Sequence, residues 1–354
     1  MAPSPGPGTA PGSPHPVPLP VRVADIDRPL LHVVVDTEEE FDWSAPFARS
    51  NTAVSGINGL HLGHTLFRRH GIVPAYLLDY PVVTDRRAVE ALGPWLAEGS
   101  CLVGAQLHTW VTPPFEEVVC PFNSYASNLP AELERRKLQV LTGAITERFG
   151  VRPLIYKAGR YGLDVRREQT LRELGYLVDT SVMPYRSYAG LGGGPDFFGF
   201  PDQPFWLNPD RGFLYLPSTH SVFGPLRPVF GGRGATLIYR GMGLRLRLPG
   251  LLARTGLLER ISLTPEGVSL DDMCRLTARL HAAGHRVFAL SLHSSSFVPG
   301  GSPYTRSEAD LRQILDRIER FLDFFFDKLG GVATTAIDLL HRFQPAAPAP
   351  PHRR

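Results

Sequence analysis

Short apolar runs alternate along this chain with longer stretches of amphipathic spacing. Leu30-Leu31 and Val33-Val34-Val35, with only His32 between them, form a β-branched run of the kind that lies in a strand buried on both faces. A helical pattern through Leu60, Leu66 and Phe67 follows, and then a second apolar run over 72–78. The succession repeats with a helix near 86–97 and a run over 101–108, then a charged helix over 130–149 and a run over 153–157. A helix over 164–174 stops at Gly175, as helices commonly do, and a run over 176–179 comes next. Further on, a helix over 269–283 precedes the run 286–293, and a helix over 306–329 precedes a short strand at 332–334.

Strand and helix in this order predict an α/β fold with parallel pairing and right-handed crossovers. Roughly seven such units in about 310 residues fit a distorted (β/α) barrel of about seven strands better than an open sheet. Residues 181–265 break the rhythm. They are rich in Gly, Pro and aromatic side chains and read as an irregular insertion within the same domain. The first 20 residues hold eight prolines among Gly, Ser and Ala, which cannot bury enough surface to fold. The expected organisation is therefore a disordered tail over 1–25, a barrel domain over 26–343 and a second disordered tail over 344–354.

Composition adds limits. The 354 residues are 43% hydrophobic and 20% charged, with a net charge of +3, too slight by itself to suggest nucleic acid as a partner. Only Lys137, Lys157 and Lys328 are lysines among 37 basic residues, a bias that says more about coding than about phosphate contacts. Cys101, Cys120 and Cys274 are odd in number and widely spaced, which predicts no disulfide framework and a reducing compartment. With neither a transmembrane-length apolar run nor a basic-then-apolar leader, the expected location is cytoplasmic. Within 226–260, seven arginines face one acid, Glu259, interleaved with leucines. This reads first as a solvated basic face. The functional alternative is peripheral contact with anionic lipid or with a phosphorylated glycan.

The candidate chemistry gathers where strands are predicted to end. After Val35, five carboxylates occur within seven residues: Asp36, Glu38, Glu39, Glu40 and Asp42. Like charges this close repel, so their position at a buried strand's mouth suggests a cation there, or a carboxylate acting as base. Gln106 with His108, Lys157 with Arg160, Asp179, and His293 end other runs. Singly each has an ordinary explanation, such as a structural histidine, a surface ion pair or a helix cap. In a barrel, however, strand ends converge on one mouth. Carboxylate and imidazole suit Zn²⁺ or a similar divalent ion. A second carboxylate can take a proton from water, a histidine can give one to a leaving group, and Lys157 or Arg160 can keep the base charged. That is equipment for hydrolysing an amide or ester, and no GxSxG or Walker-type loop competes with it.

Four ordered motifs carry a family resemblance. They are Val35-Asp36-Thr37-Glu38-Glu39-Glu40-Phe41-Asp42-Trp43, Gly104-Ala105-Gln106-Leu107-His108-Thr109-Trp110, Lys157-Ala158-Gly159-Arg160-Tyr161-Gly162, and Leu292-His293-Ser294-Ser295-Ser296-Phe297. In this order they resemble the polysaccharide deacetylases of carbohydrate esterase family 4, which share the NodB homology domain, and in detail the WalW-type branch associated with lipopolysaccharide biosynthesis. The resemblance implies a distorted (β/α) barrel, a divalent metal with zinc the expected ion, and removal of acetyl from an N-acetylated sugar or glycan. It makes Asp36 the catalytic base and His293 the catalytic acid, with Glu38, His108 and Gln106 at the metal. Lys157, Arg160, Tyr161 and Asp179 fall on the substrate side. Two positions depart from the family pattern: Thr112 stands where the second motif's other histidine is usual, and Gln106 stands where this branch would have one. His61 or His64 could complete a metal site. Another C–N hydrolase on the same barrel, or a glycan binder without hydrolysis, remain as alternative readings.

Overall fold

In the computed structural model the described residues are 16–41, 45–226, 238–239, 248–255 and 257–344. Twelve strands occur among them: β1 (Leu19–Pro20), β2 (Leu30–Thr37), β3 (Ala75–Leu78), β4 (Leu102–Leu107), β5 (Ile155–Ala158), β6 (Val178–Asp179), β7 (Phe205–Trp206), β8 (Leu214–Tyr215), β9 (His220–Phe223), β10 (Glu259–Ser262), β11 (Val287–His293) and β12 (Val332–Ala333). Seven of these run side by side in parallel, in the order β8-β6-β5-β4-β3-β2-β11. Helices in the connections, among them Leu60–Arg69, Arg86–Ala97, Ala131–Phe149, Leu270–Ala282 and Glu308–Asp323, make the crossovers.

The α/β fold is the expected one, but the sheet does not close strand to strand, and its membership differs from the reading of the sequence. The seventh parallel strand is β8, from within the stretch taken as an insertion, which is therefore part of the sheet itself. The strand at 332–334 instead pairs with the first residues of β2, Val332 opposite Leu30. Two residues of strand within a Gly- and Pro-rich stretch leave too little apolar run to show in the sequence. Between β8 and β11 the seam is bridged by the antiparallel pair β9–β10 and its flanks. Thr219 Oγ1 accepts from Ala289 N (2.8 Å), and the Leu263 carbonyl accepts from Ser291 N (3.2 Å).

Residues 16–25 depart from the expected tail. Leu19–Pro20 pairs antiparallel with Phe205–Trp206, Val21 N donates to the Pro204 carbonyl (2.8 Å), and Ile26 is buried. The proline-rich composition hid an edge strand, a place where Pro is tolerated because no ladder donor is required of it. Residues 1–15 and 345–354 lie outside the described residues, as does most of 226–260.

Alternation along the strands decides what faces inward. Leu30 and Val34, Leu102, Ile155 and Val287 belong to one apolar cluster, whereas Val33 and Val35 join the other, beneath the helices. Continuing the first set at a period of two gives Asp36, Gln106, Lys157 and His293 at the carboxyl ends of β2, β4, β5 and β11. The interior is thus apolar below and ionisable at the mouth. Direct register completes the arrangement, because His293 on β11 stands opposite Asp36 on β2.

Candidate functional site

At the mouth, Asp36 Oδ2 accepts from Lys157 Nζ (2.5 Å) and lies 3.7 Å from His293 Nε2. Both members of the lysine–carboxylate pair are buried, so each compensates the other's loss of water. Lys157, not Arg160, is the cation on the base. Asp36 Oδ1 is buried with no hydrogen-bond partner among the described residues. His293 Nδ1 is held by Glu266 Oε2 (2.7 Å), and Glu266 Oε1 accepts from His293 N (2.9 Å) and Ser296 Oγ (2.5 Å). This aims Nε2 at Asp36 and at Glu38 Oε1 (3.8 Å). Burial disfavours a charged ring, but Glu266 and Glu38 outweigh it and raise the His293 pKa to about 10.

Beside this group stands His108. Its Nδ1 lies 2.6 Å from Glu39 Oε2, and its Nε2 is 3.3 Å from Glu38 Oε2 and 3.2 Å from Gln106 Nε2. A carboxylate on Nδ1 fixes the ring and turns Nε2 toward the mouth, the arrangement that metal-ligating histidines use. Burial works against a cationic His108, while Glu39 and Glu38 hold its pKa well above the ordinary value. Asp79 backs Glu39 by accepting from its N–H (2.7 Å) and from Val82 N (3.0 Å). Burial, with Glu39 next to it, pushes the Asp79 pKa well up. Gly159 makes room for the ring, since a Cβ there would come 2.3 Å from His108 Cδ2.

These residues fit a divalent cation. Two ligand atoms of a tetrahedral ion with bonds of about 2.0–2.1 Å stand roughly 3.3–3.4 Å apart, and His108 Nε2 and Glu38 Oε2 are separated by 3.3 Å. Asp36, Glu38 and His293 also converge, their ligand atoms within 4.8 Å of one another. Gln106 Nε2 donates to Glu38 Oε2 (2.6 Å), and its Oε1 is buried with no partner among the described residues. Turning the amide over would present the oxygen to the same place, and the two orientations are equivalent in shape.

The site opens into a cavity of about 560 Å³ lined by Phe41, Phe47, Tyr125, Tyr161 and Tyr188 as well as the ionisable residues. Arg160 lies on its wall with its guanidinium on Ser124 Oγ and over the rings of Phe47 (4.7 Å) and Tyr125 (4.2 Å). Tyr161 carries Lys157 Nζ over its face (5.2 Å) and stacks on Tyr188 (5.5 Å). Asp179 is not brought in. It is buried below, both oxygens accept from Ser181 (2.8 and 2.7 Å), and it lines no part of the cavity. His64 is equally remote from any metal role, stacked on Trp95 and paired with the Tyr76 hydroxyl, and His61 faces solvent against the Asn58 carbonyl. Thr112 Oγ1 is buried without a partner among the described residues and does not line the cavity.

Glu266 and Asp79 were not found from the sequence. Asp79 had the same signal as the others, an acid directly after an apolar run. Glu266 had none, because it follows an irregular stretch and reaches His293 only through the chain's path across the seam.

Fold and site together define an α/β protein in which carboxylate, lysine and imidazole converge at the carboxyl ends of parallel strands. No family model and no curated protein sequence matches the chain. Solved structures similar to it include a Mycobacterium smegmatis protein assigned as a polysaccharide deacetylase (15% identity, 95% of this chain and 98% of that one, TM-score 0.49). A PuuE allantoinase is similar at 14% identity (94% and 93%, TM-score 0.49). The Bc1960 peptidoglycan N-acetylglucosamine deacetylase is similar at 11% identity (91% and 90%, TM-score 0.42). Among the described residues no helix is long and apolar enough to cross a membrane.

Proposed function

We propose that the chain is a metal-dependent hydrolase of the polysaccharide deacetylase family that removes the N-acetyl group from an amino sugar used in cell-surface polysaccharide or lipopolysaccharide assembly. The observation that carries this reading is the pairing of Asp36 with Lys157 on one side and His293 on the other, beside His108 and Glu38. A binding surface has no use for a matched base and acid within 3.7 Å of each other. Glu38, His108 and the Gln106 amide oxygen would hold the ion, with zinc the ion of choice for a carboxylate–imidazole set. When bound it would polarise the acyl carbonyl and acidify water.

The chain's own residues do the rest. Asp36, whose Oδ2 accepts from Lys157, turns Oδ1 to the proton of the attacking water. His293, held cationic by Glu266, donates from Nε2 to the amine as the C–N bond breaks, a step without which an amine is a poor leaving group. The test is metal analysis of the purified chain followed by acetate release from N-acetylated sugars. Metal bound in wild type and lost in His108→Ala, with acetate released only by the loaded protein, supports the reading. A metal-loaded, folded protein that binds such sugars and releases no acetate refutes it and favours a glycan-binding role.

A further inference from the structure

One wall of the cavity carries two guanidiniums that no carboxylate among the described residues pairs. Arg186 and Arg260 both line it. Arg260 donates to the Tyr185 carbonyl (3.2 Å), next in the chain to Arg186, and its guanidinium lies 4.1 Å over the Tyr239 ring. Arg186 reaches over Tyr188 (5.7 Å). Neither pairs with a carboxylate among the described residues, and 226–258 contains no Asp or Glu that could reach them. Burial and the Arg186 charge lower the Arg260 pKa to about 10, so it stays charged at neutral pH.

His220 lines the same cavity, opposite Ser262 two residues along the strand from Arg260, with Nδ1 on Ser262 Oγ (2.7 Å) and Nε2 buried without a partner among the described residues. Burial, then Arg260 and Arg186, depress its pKa well below the ordinary value, so the ring is neutral and Nε2–H can donate. Two like charges and an unsatisfied imidazole on one concave wall cost stability unless an anion completes them. A carboxylate has two oxygens, which a single guanidinium satisfies. Two guanidiniums and a third donor match the several oxygens of a phosphate.

We propose that this wall receives a phosphate ester carried by the substrate, held by Arg186 and Arg260 with His220 as a neutral donor, so that the sugar acted on at Asp36 and His293 is an anionic sugar phosphate and not a neutral glycan. The sugar end rests on the hydrolase reading above, whereas the anion receptor stands on its own geometry. A cavity of about 560 Å³ has room for both parts, being of the size that takes a drug-like ligand larger than one ring.

Calorimetry on the metal-loaded full chain compares N-acetylglucosamine, its 1-phosphate, and N-acetylglucosamine mixed with inorganic phosphate. The 1-phosphate is expected to bind at least about tenfold more tightly than the neutral sugar, with an advantage that shrinks as salt rises. Inorganic phosphate added in trans should compete with it without reproducing its affinity. In the double variant Arg186→Gln, Arg260→Gln the two sugars should bind within about twofold of each other. Where that variant does not fold, Arg186→Gln alone gives the reading, since its half-buried side chain does not carry the Tyr239 contact. Loss of at least about threefold in the phosphate advantage supports the proposal. Equal affinities in wild type, or an advantage undiminished by the substitutions, overturns it. Acetate release is scored separately. A phosphate preference without acetate would sink the hydrolase reading and leave the anion receptor in place.

Discussion

Glu266→Gln isolates what the buried carboxylate does for His293. In the wild type Glu266 accepts three hydrogen bonds, from His293 N, His293 Nδ1 and Ser296 Oγ. A glutamine keeps the shape, and its oxygen can still accept from His293 N and Ser296. Its NH₂ then faces Nδ1, so the negative charge that favours the cationic ring is gone and protonation of Nδ1 must break that contact. The pKa of about 10 in the wild type should fall to the ordinary value of about 6.5 or below. At pH 8 the acid form would drop from about 99% to about 3% of the enzyme, a loss of roughly 30-fold in kcat. At pH 5.5 most of the ring would be protonated in both proteins, and the deficit should nearly vanish. The assay is kcat for acetate release across pH 5–10 on metal-loaded protein, with KM recorded alongside. A positioning role through His293 predicts that the basic limb moves from about 10 to below about 7. A uniform fall at every pH, or superimposable basic limbs, refutes the reasoning.

Three further outcomes follow from the same structure. Gly159→Ala would set a methyl 2.3 Å from His108 Cδ2 and displace the ring, so metal affinity in a competition titration should fall by about 10- to 100-fold; unchanged affinity would remove His108 from the metal. Burial raises the Asp179 carboxyl to about 7, and a carboxyl raised above its unfolded value of about 3.9 gives stability that is complete below pH about 4 and lost as pH rises through about 7. Asp179→Asn should abolish that slope, worth up to about 4 kcal/mol between pH 4 and 8 by denaturant unfolding, and equal slopes in the two proteins would refute it. Removing residues 1–15 should leave Tm unchanged, whereas removal through Arg22 takes β1 and its bonds to 204–206 and should cost on the order of 1–2 kcal/mol, or about 2–4 °C; equal Tm values would show that β1 contributes nothing.

The sequence by itself determined which residues could meet and at which end of the fold. Unbroken apolar runs between helical stretches are enough to specify parallel strands. A period of two along those strands then places Asp36, Gln106, Lys157 and His293 on one face above Leu30, Val34, Leu102, Ile155 and Val287. Those are consequences of local covalent geometry and of burying apolar area, so they can be read from neighbours in the chain. What only the tertiary structure decided is pairing across long separations. The parallel register that sets His293 against Asp36 joins residues 257 apart in sequence, and nothing local encodes it. The choice of Lys157 over Arg160 as the partner of Asp36 follows from which of the two cations lies on the strand facing the mouth and which sits in the turn after it, held on the cavity wall against Phe47 and Tyr125. Glu266 and β8 emerge from irregular chain that periodicity cannot read, because their positions are set by the seam they fill. Asp179 carried the same sequence signal as Asp36 yet lies below the mouth, since a strand of only two residues ends before it reaches the rim.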